Sequence, residues 1–75
     1  MQLQIVTRKT DDGVEASVPS IRECESWAAT EDEAIDNLLD RVRFFLHLKE
    51  GFRHKLDVSR REGDETWYAL VLPDR

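Results

Sequence analysis

The segment between residues 12 and 39 constrains the fold of this chain more than any other. Asp12-Gly13 lies between two alternating segments, and this dipeptide is a strong hairpin signal because Gly takes a positive φ without penalty and Asp tolerates one. The strand that follows alternates apolar and polar residues, and Pro19 ends it. We therefore expect a hairpin of residues 1–10 and 14–18 that turns at residues 11–13.

A short strand and a helix follow, with very few residues between them. Residues 24–28 alternate and predict a third strand, and Thr30 with Glu33 three residues later is a capping-box signature. We expect the helix to continue to about Lys49, with Gly51 in the left-handed position after it. At about 100° per residue, seven apolar side chains fall within one arc that must pack on the sheet. They are Ala34, Ile35, Leu38, Leu39, Val42, Phe45 and Leu46.

The end of the chain predicts a second hairpin. Residues 55–60 alternate, residues 62–64 contain a Gly turn, and residues 66–72 are apolar on both faces, which indicates a strand that is central or covered on both sides. The predicted order is β-β-β-α-β-β. Residues 1–75 should therefore form one α+β domain, with a single, mainly antiparallel sheet and one helix packed across it.

So small a domain has a thin core. Folding of a chain of this size buries only about 60% of the surface that the unfolded chain exposes, and self-association is a common remedy. Phe44 and Leu48 form a second apolar stripe outside the core-facing arc. This stripe could pack on the final hairpin or on the same stripe of another subunit. We expect a homo-oligomer, with a dimer favoured.

Cysteine usage and the N-terminal sequence indicate the compartment. Cys24 is the single cysteine, so no intrachain disulfide and no cysteine-based zinc cage can form. Residues 1–8 lack the apolar core of a signal peptide, and no apolar run approaches the length of a transmembrane helix. We expect a soluble cytoplasmic protein without membrane contact.

The charge distribution is strongly divided along the chain. Its net charge of −5 argues against general nucleic-acid binding, which needs an excess of Lys and Arg. Residues 11–40 contain ten acidic residues and one basic residue, whereas residues 41–61 contain seven basic residues and two acidic ones. This split indicates either a solvated surface that follows the helix dipole or an acidic face for a basic partner.

Candidate catalytic and metal-binding residues are few. His47 and His54 have no spacing typical of metal ligands, the serines lack a nucleophile elbow, and the glycines form no phosphate-binding loop. Cys24 lies among acidic residues, which should raise the pKa of its thiol and disfavour a reactive thiolate. We expect no enzymatic activity, no metal and no cofactor.

Between residues 12 and 39 the sequence resembles the N-terminal domain of the HicB-like antitoxin family. The family pattern runs Asp-Gly, a strand ending in Val-Pro, Glu-Leu-Pro-Gly-Cys, a short strand, a Gly, and Thr-x-Glu-Glu-Ala leading into a helix with an Asn. Arg22 and Glu23 replace the usual Pro-Gly, and Ala28 stands where Gly is common, so the connections should bend differently. The matching positions are Asp12-Gly13, Val18-Pro19, Ile21, Cys24, Thr30, Glu33-Ala34 and Asn37.

The resemblance implies a partial double-stranded-RNA-binding-like fold that, in family members, covers a small basic toxin ribonuclease. Full-length members usually continue into a helix-turn-helix or ribbon-helix-helix module that binds operator DNA. The sequence ends at Arg75 without such a module. We therefore expect a stand-alone domain, an orphan homologue that does not regulate its own transcription by DNA contact.

Two functions from different classes follow. The first is a protein-binding module that attracts a small basic toxin, with Glu23, Glu25, Trp27, Asp36 and Asp40 as partner-binding residues. Trp27 either anchors this partner or packs over the outer face of the sheet against its neighbours. The second is weak RNA binding by the basic segment, which requires its charges to converge on one face. Those residues are Arg41, Arg43, Arg53, Lys55, Arg60 and Arg61.

Overall fold

A computed structural model describes residues 1–49 and 53–72. One antiparallel sheet has the strand order β3-β2-β1-β5-β4, and a single helix packs on it. The elements are β1 Gln2–Thr10, β2 Gly13–Ser17, β3 Glu25–Ala28, α1 Glu31–Phe45, β4 Lys55–Glu62 and β5 Glu65–Val71. The predicted α+β class and the order β-β-β-α-β-β are confirmed, as is the interior position of β5.

The two hairpins turn in different ways. Thr10 lies opposite Gly13, so Asp11 and Asp12 form the whole first loop and Gly13 is already part of β2. The expectation that Gly13 supplies a positive φ to this turn is wrong, since Gly63 is the glycine with a positive φ in the described residues, at 57°. Gly63 lies in the two-residue loop between β4 and β5, where the absence of a Cβ lets the backbone adopt this positive φ without strain.

The helix covers only one half of the sheet. Two residues separate β3 from α1, so the helix must pack on the strands nearest to it, and it contacts β3, β2 and β1. Among the described elements, β4 contacts β5 alone. The molecule is therefore elongated, with principal extents of 37 × 21 × 20 Å. No helix of the described residues is long and apolar enough to cross a membrane.

The core lies between α1 and the sheet face beneath it. Leu38 and Val42 of the helix and Ile5 and Leu70 of the sheet are fully buried in one apolar cluster. The predicted apolar arc is correct for its first turns, but Phe45 at its end is 41% exposed. The exposed ring of Phe45 contacts Phe44 edge to face, with 6.1 Å between the centroids.

Thr30 begins the helix as predicted. Its backbone is extended, and its side-chain oxygen accepts a hydrogen bond from the Glu33 N–H at 3.3 Å, which satisfies one of the free amides of the first turn. Glu31, Asp32 and Glu33 place three carboxylates at the positive end of the helix dipole. Local sequence therefore fixes this end of the helix.

The helix ends four residues before the predicted position. Leu48 N–H donates to the Arg43 carbonyl at 2.9 Å and His47 N–H donates to the Phe44 carbonyl at 3.3 Å, which is the hydrogen-bond pattern of a Schellman motif. His47 adopts the left-handed conformation that this motif requires, with φ at 55°. Leu48 then turns back against the core, and this apolar contact explains why the chain leaves the helix here. Gly51 lies outside the described residues.

A polar cluster joins the start of the helix to the sheet. The Thr7 hydroxyl donates to Glu31 Oε2 at 2.8 Å, and Thr7 is buried. Burial, together with a hydrogen bond to Glu31, raises the pKa of the Tyr68 phenol to about 12. Glu31 is therefore bound by side chains of both β1 and β5.

Replacing His47 with Gly should stabilise the protein. A non-glycine residue in the left-handed region costs about 1 kcal/mol, so we expect His47→Gly to raise the free energy of unfolding by about that amount in urea titrations. Asn37→Gly, at an exposed position inside the same helix, is the matched control and should lower it by about 1 kcal/mol. Equal losses in both variants would contradict the assigned helix end.

The Tyr68 cluster predicts a loss of stability at high pH. The pKa of Tyr68 is raised in the folded state, so the unfolded chain ionises first and stability falls as the pH rises from about 10 to about 12. Tyr68 is the only tyrosine, so phenolate absorbance reports it alone. Urea unfolding across this range should show a steeper fall for the wild type than for Tyr68→Phe. Parallel pH profiles would contradict the assignment.

Candidate functional site

A groove of about 470 Å³ lies at the free edge of β3, beside α1. We call it the β3-edge groove. It combines three carboxylates, one guanidinium and one indole. Its lining residues are Glu15, Ala16, Ser17, Glu23, Glu25, Ser26, Trp27 and Arg41.

Strand register explains the outer wall of the groove. Glu15 lies opposite Trp27, and Ser17 lies opposite Glu25, so these four side chains share the sheet face that the helix leaves uncovered. On the other face, the Ser26 hydroxyl donates to the Ala34 carbonyl at 2.6 Å. This bond ties β3 to α1, the two elements that border the groove.

A compact loop places Glu23 at the groove. Val18 N–H donates to the Cys24 carbonyl at 2.9 Å, and Cys24 N–H donates to the Ile21 carbonyl at 3.2 Å. Glu23 has φ at 65°, a conformation that a non-glycine residue adopts only when its surroundings determine it. The strained backbone thus directs an exposed carboxylate to the groove.

Trp27 packs against a glycine. A Cβ added at Gly13 would lie 2.5 Å from Trp27 Cζ2 and would also collide with the Ala28 carbonyl, so the indole ring lies directly over the Gly13 backbone. The ring remains 50% exposed. The interpretation that Trp27 packs on the outer face therefore holds for one side of the ring, and the rest of the side chain is exposed to solvent.

The structure separates the predicted partner-binding residues into two groups. Glu23, Glu25 and Trp27 line the β3-edge groove, whereas Asp36 and Asp40 are exposed on α1 and do not line it. Sequence reasoning did not place Glu15 in this group, and it assigned Arg41 to the RNA-binding set instead. The register that sets Glu15 against Trp27 was readable from the alternation of β2 and β3, but the position of Arg41 required the packing of α1.

The two predicted oligomer-interface residues also point in different directions. Phe44 is 76% exposed, and it lies one helical turn after Arg41, on the side of α1 that borders the groove. Leu48 is partly buried and packs against the core. Because the helix ends at Phe45, the stripe predicted for an uninterrupted helix does not form.

Cys24, which lies between Glu23 and Glu25 in the sequence, is buried. Burial raises the pKa of its thiol, while the nearby charge of Arg41 lowers it in part. The expected direction is therefore correct, but burial replaces the acidic neighbours as the cause. Across residues 1–49 and 53–72, no three His, Cys, Asp or Glu side chains lie together as a metal site.

The basic segment does not form one surface. Arg41 borders the β3-edge groove, whereas Lys55 and Arg60 lie at the opposite edge of the sheet. Arg60 lies opposite Trp67 and Arg61 lies opposite Thr66, so these two neighbours occupy different faces of β4. Four strand spacings, about 19 Å, separate the two edges.

The fold and the groove define a small α+β domain whose most distinctive surface is acidic. Compared with known proteins, the chain matches no protein-family model, no curated protein and no solved structure.

Adding a methyl group at Gly13 should destabilise the folded protein and displace Trp27 in the groove. Gly13→Ala drives a Cβ into the Trp27 ring and the Ala28 carbonyl, so we expect the free energy of unfolding to fall by about 1 to 3 kcal/mol and the Trp27 indole N–H resonance to shift. Gly63→Ala is the control, since its Cβ would meet nothing within 4 Å and its cost comes from the positive φ alone. It should leave the Trp27 resonance in place. An unperturbed Trp27 in Gly13→Ala would refute the packing.

Proposed function

We propose that this protein is a non-enzymatic, cytoplasmic protein-binding module that holds a basic partner in the β3-edge groove. One observation carries the proposal: Glu23 and Glu25, from a loop and a strand, line one groove with a half-exposed indole and with Glu15, whose carboxylate also accepts a hydrogen bond from Arg8 at 2.6 Å. Carboxylates around an aromatic side chain can attract a cationic surface and then bury an apolar or cationic side chain of it.

The free edge of β3 adds a second means of attachment. An edge strand presents backbone N–H and C=O groups that an extended segment of a partner can pair with. β3 has only four residues, so this pairing can hold a short segment and would need the charges around it for affinity. The exposed Phe44 on the adjacent side of α1 extends the contact surface beyond the groove.

The resemblance to the HicB-like antitoxin family gives the partner a class. A basic toxin ribonuclease of the kind that family members cover has the charge that this groove would attract. The backbone at Glu23 supports the resemblance, because its φ of 65° is a glycine-like conformation at the position where the family pattern has Gly. We propose an antitoxin-like role.

RNA binding is the alternative function, and the charge map weighs against it. Arg41 lines the same groove as three carboxylates, and their negative charge would repel the phosphates that this guanidinium could bind. The remaining basic side chains on β4 are divided between its two faces. On the outer face of β4, Lys55 and Arg60 are each within 4 Å of a carboxylate of the same strand, which would compete with RNA phosphates for them.

Charge reversal in the groove tests the proposal. The chain would be co-expressed with a small basic protein encoded next to it and recovered by pull-down at low and high salt. We expect Glu23→Lys/Glu25→Lys to weaken the complex at least about tenfold, since close charge pairs at an interface contribute roughly 1.5 kcal/mol or more. Trp27→Ala should weaken it without changing the salt dependence.

Asp36→Lys/Asp40→Lys is the control, since it makes the same change in net charge on α1 outside the groove. It should leave most of the affinity intact. Equal losses in the two double variants would show attraction by net charge alone, and the absence of a complex at both salt concentrations would refute the proposal.

A further inference from the structure

Strand β4 is the longer free edge of the sheet. It has eight residues, none of them proline, and α1 does not cover it. Natural edge strands usually avoid pairing by being short or by carrying proline or charge. β4 does carry charges, and the arrangement of these charges is self-complementary.

The charges of β4 that share its outer face alternate in sign along the strand. Each of these charges therefore meets one of opposite sign when a second copy of the strand runs in the reverse direction. In an antiparallel pair of two β4 strands centred between Val58 and Ser59, Lys55 of one copy would lie opposite Glu62 of the other. Asp57 would lie opposite Arg60 in the same way. Twofold symmetry doubles both pairs, so the interface would contain four cross-strand pairs of opposite charge.

The β-bulge in β4 makes this register geometrically consistent. The pairing of β4 with β5 shifts by one residue between Val58 and Arg60, so the side chains change faces across Ser59. Lys55, Asp57, Arg60 and Glu62 therefore share the outer face, although their numbers differ in parity. A regular strand would place Asp57 and Arg60 on opposite faces and could not make these pairs.

The chain already holds these side chains in position. The Arg60 guanidinium lies over the Trp67 ring, 4.4 Å from its centroid, which keeps it on the outer face. Lys55 lies 3.8 Å from Asp57, and Arg60 lies 3.7 Å from Glu62, so each half of β4 presents one ion pair. Two copies would join these pairs into two rows of alternating charge.

The inner face of β4 offers the apolar part of the contact. Val58 is 50% exposed because the helix stops short of this half of the sheet. In the proposed register the two Val58 side chains would be diagonal neighbours across the twofold axis. Leu56, which is partly buried, would lie opposite the aliphatic stem of Arg61.

We infer that the occupant of this edge is a second copy of the chain, and that antiparallel pairing of β4 with β4 forms a ten-stranded sheet. This inference does not depend on the proposed function, because the β3-edge groove lies at the opposite edge of each sheet. Dimer formation hides one free edge of each chain and leaves both grooves open.

Complementary charge-swapped variants test the register. Lys55→Glu/Asp57→Lys and Arg60→Glu/Glu62→Arg each keep the net charge and an opposite-charge pair within β4. Each places like charges opposite each other in its own homodimer, whereas a mixed dimer of the two restores all four pairs. Sedimentation velocity over a concentration series should show a wild-type dimer, at least about tenfold weaker association of each variant alone, and recovery in an equimolar mixture.

Two controls keep the result interpretable. Arg8→Glu/Glu15→Arg inverts the exposed pair between β1 and β2 and should leave dimerisation unchanged. Circular dichroism and urea unfolding verify that each variant is folded, since Arg60→Glu also removes the contact with Trp67. A monomeric wild type would overturn the inference. The β4 edge would then be available for pairing with a strand of another protein. A dimer that is unchanged by the swaps, or a mixture that stays monomeric, would also overturn it.

Discussion

The attachment of α1 to β3 is the constraint on which the rest of the structure depends. Only two residues connect them, and the Ser26 hydroxyl bonds to the first turn of the helix. Thr7, from the next but one strand, binds Glu31 in that same first turn, and the helix packs on β3, β2 and β1. A helix tied so closely to one edge cannot cover the other half of a five-stranded sheet.

This asymmetry creates two separate surfaces. At the β3 edge, the helix and the strand enclose a groove into which register and a strained loop direct acidic side chains. At the β4 edge, α1 does not cover the sheet, so Val58 is exposed among the charged side chains of the strand. The two edges lie about 19 Å apart, so a dimer through one edge and a basic partner at the other could be accommodated together.

The sequence allowed some of the site to be predicted, and particular residues show where it stopped. Glu23, Glu25 and Trp27 were identified from local charge and alternation, and all three line the groove. Asp36 and Asp40 have the same charge but lie outside it, because net charge along the sequence carries no information about which side of a helix faces a strand. The exposed fraction of Phe44 and the inward turn of Leu48 depended on where the helix ends.

The sequence by itself determined the elements, because their signals are local: alternation, proline, and the Thr30 cap act within a few residues. The tertiary structure decided the end of the helix, where His47 accepts a left-handed conformation so that Leu48 can reach the core. It also explains why position 13 is a glycine: a side chain there would collide with Trp27 of another strand. Both depend on contacts between residues that become neighbours only when the sheet and helix pack, and no local pattern encodes such a contact.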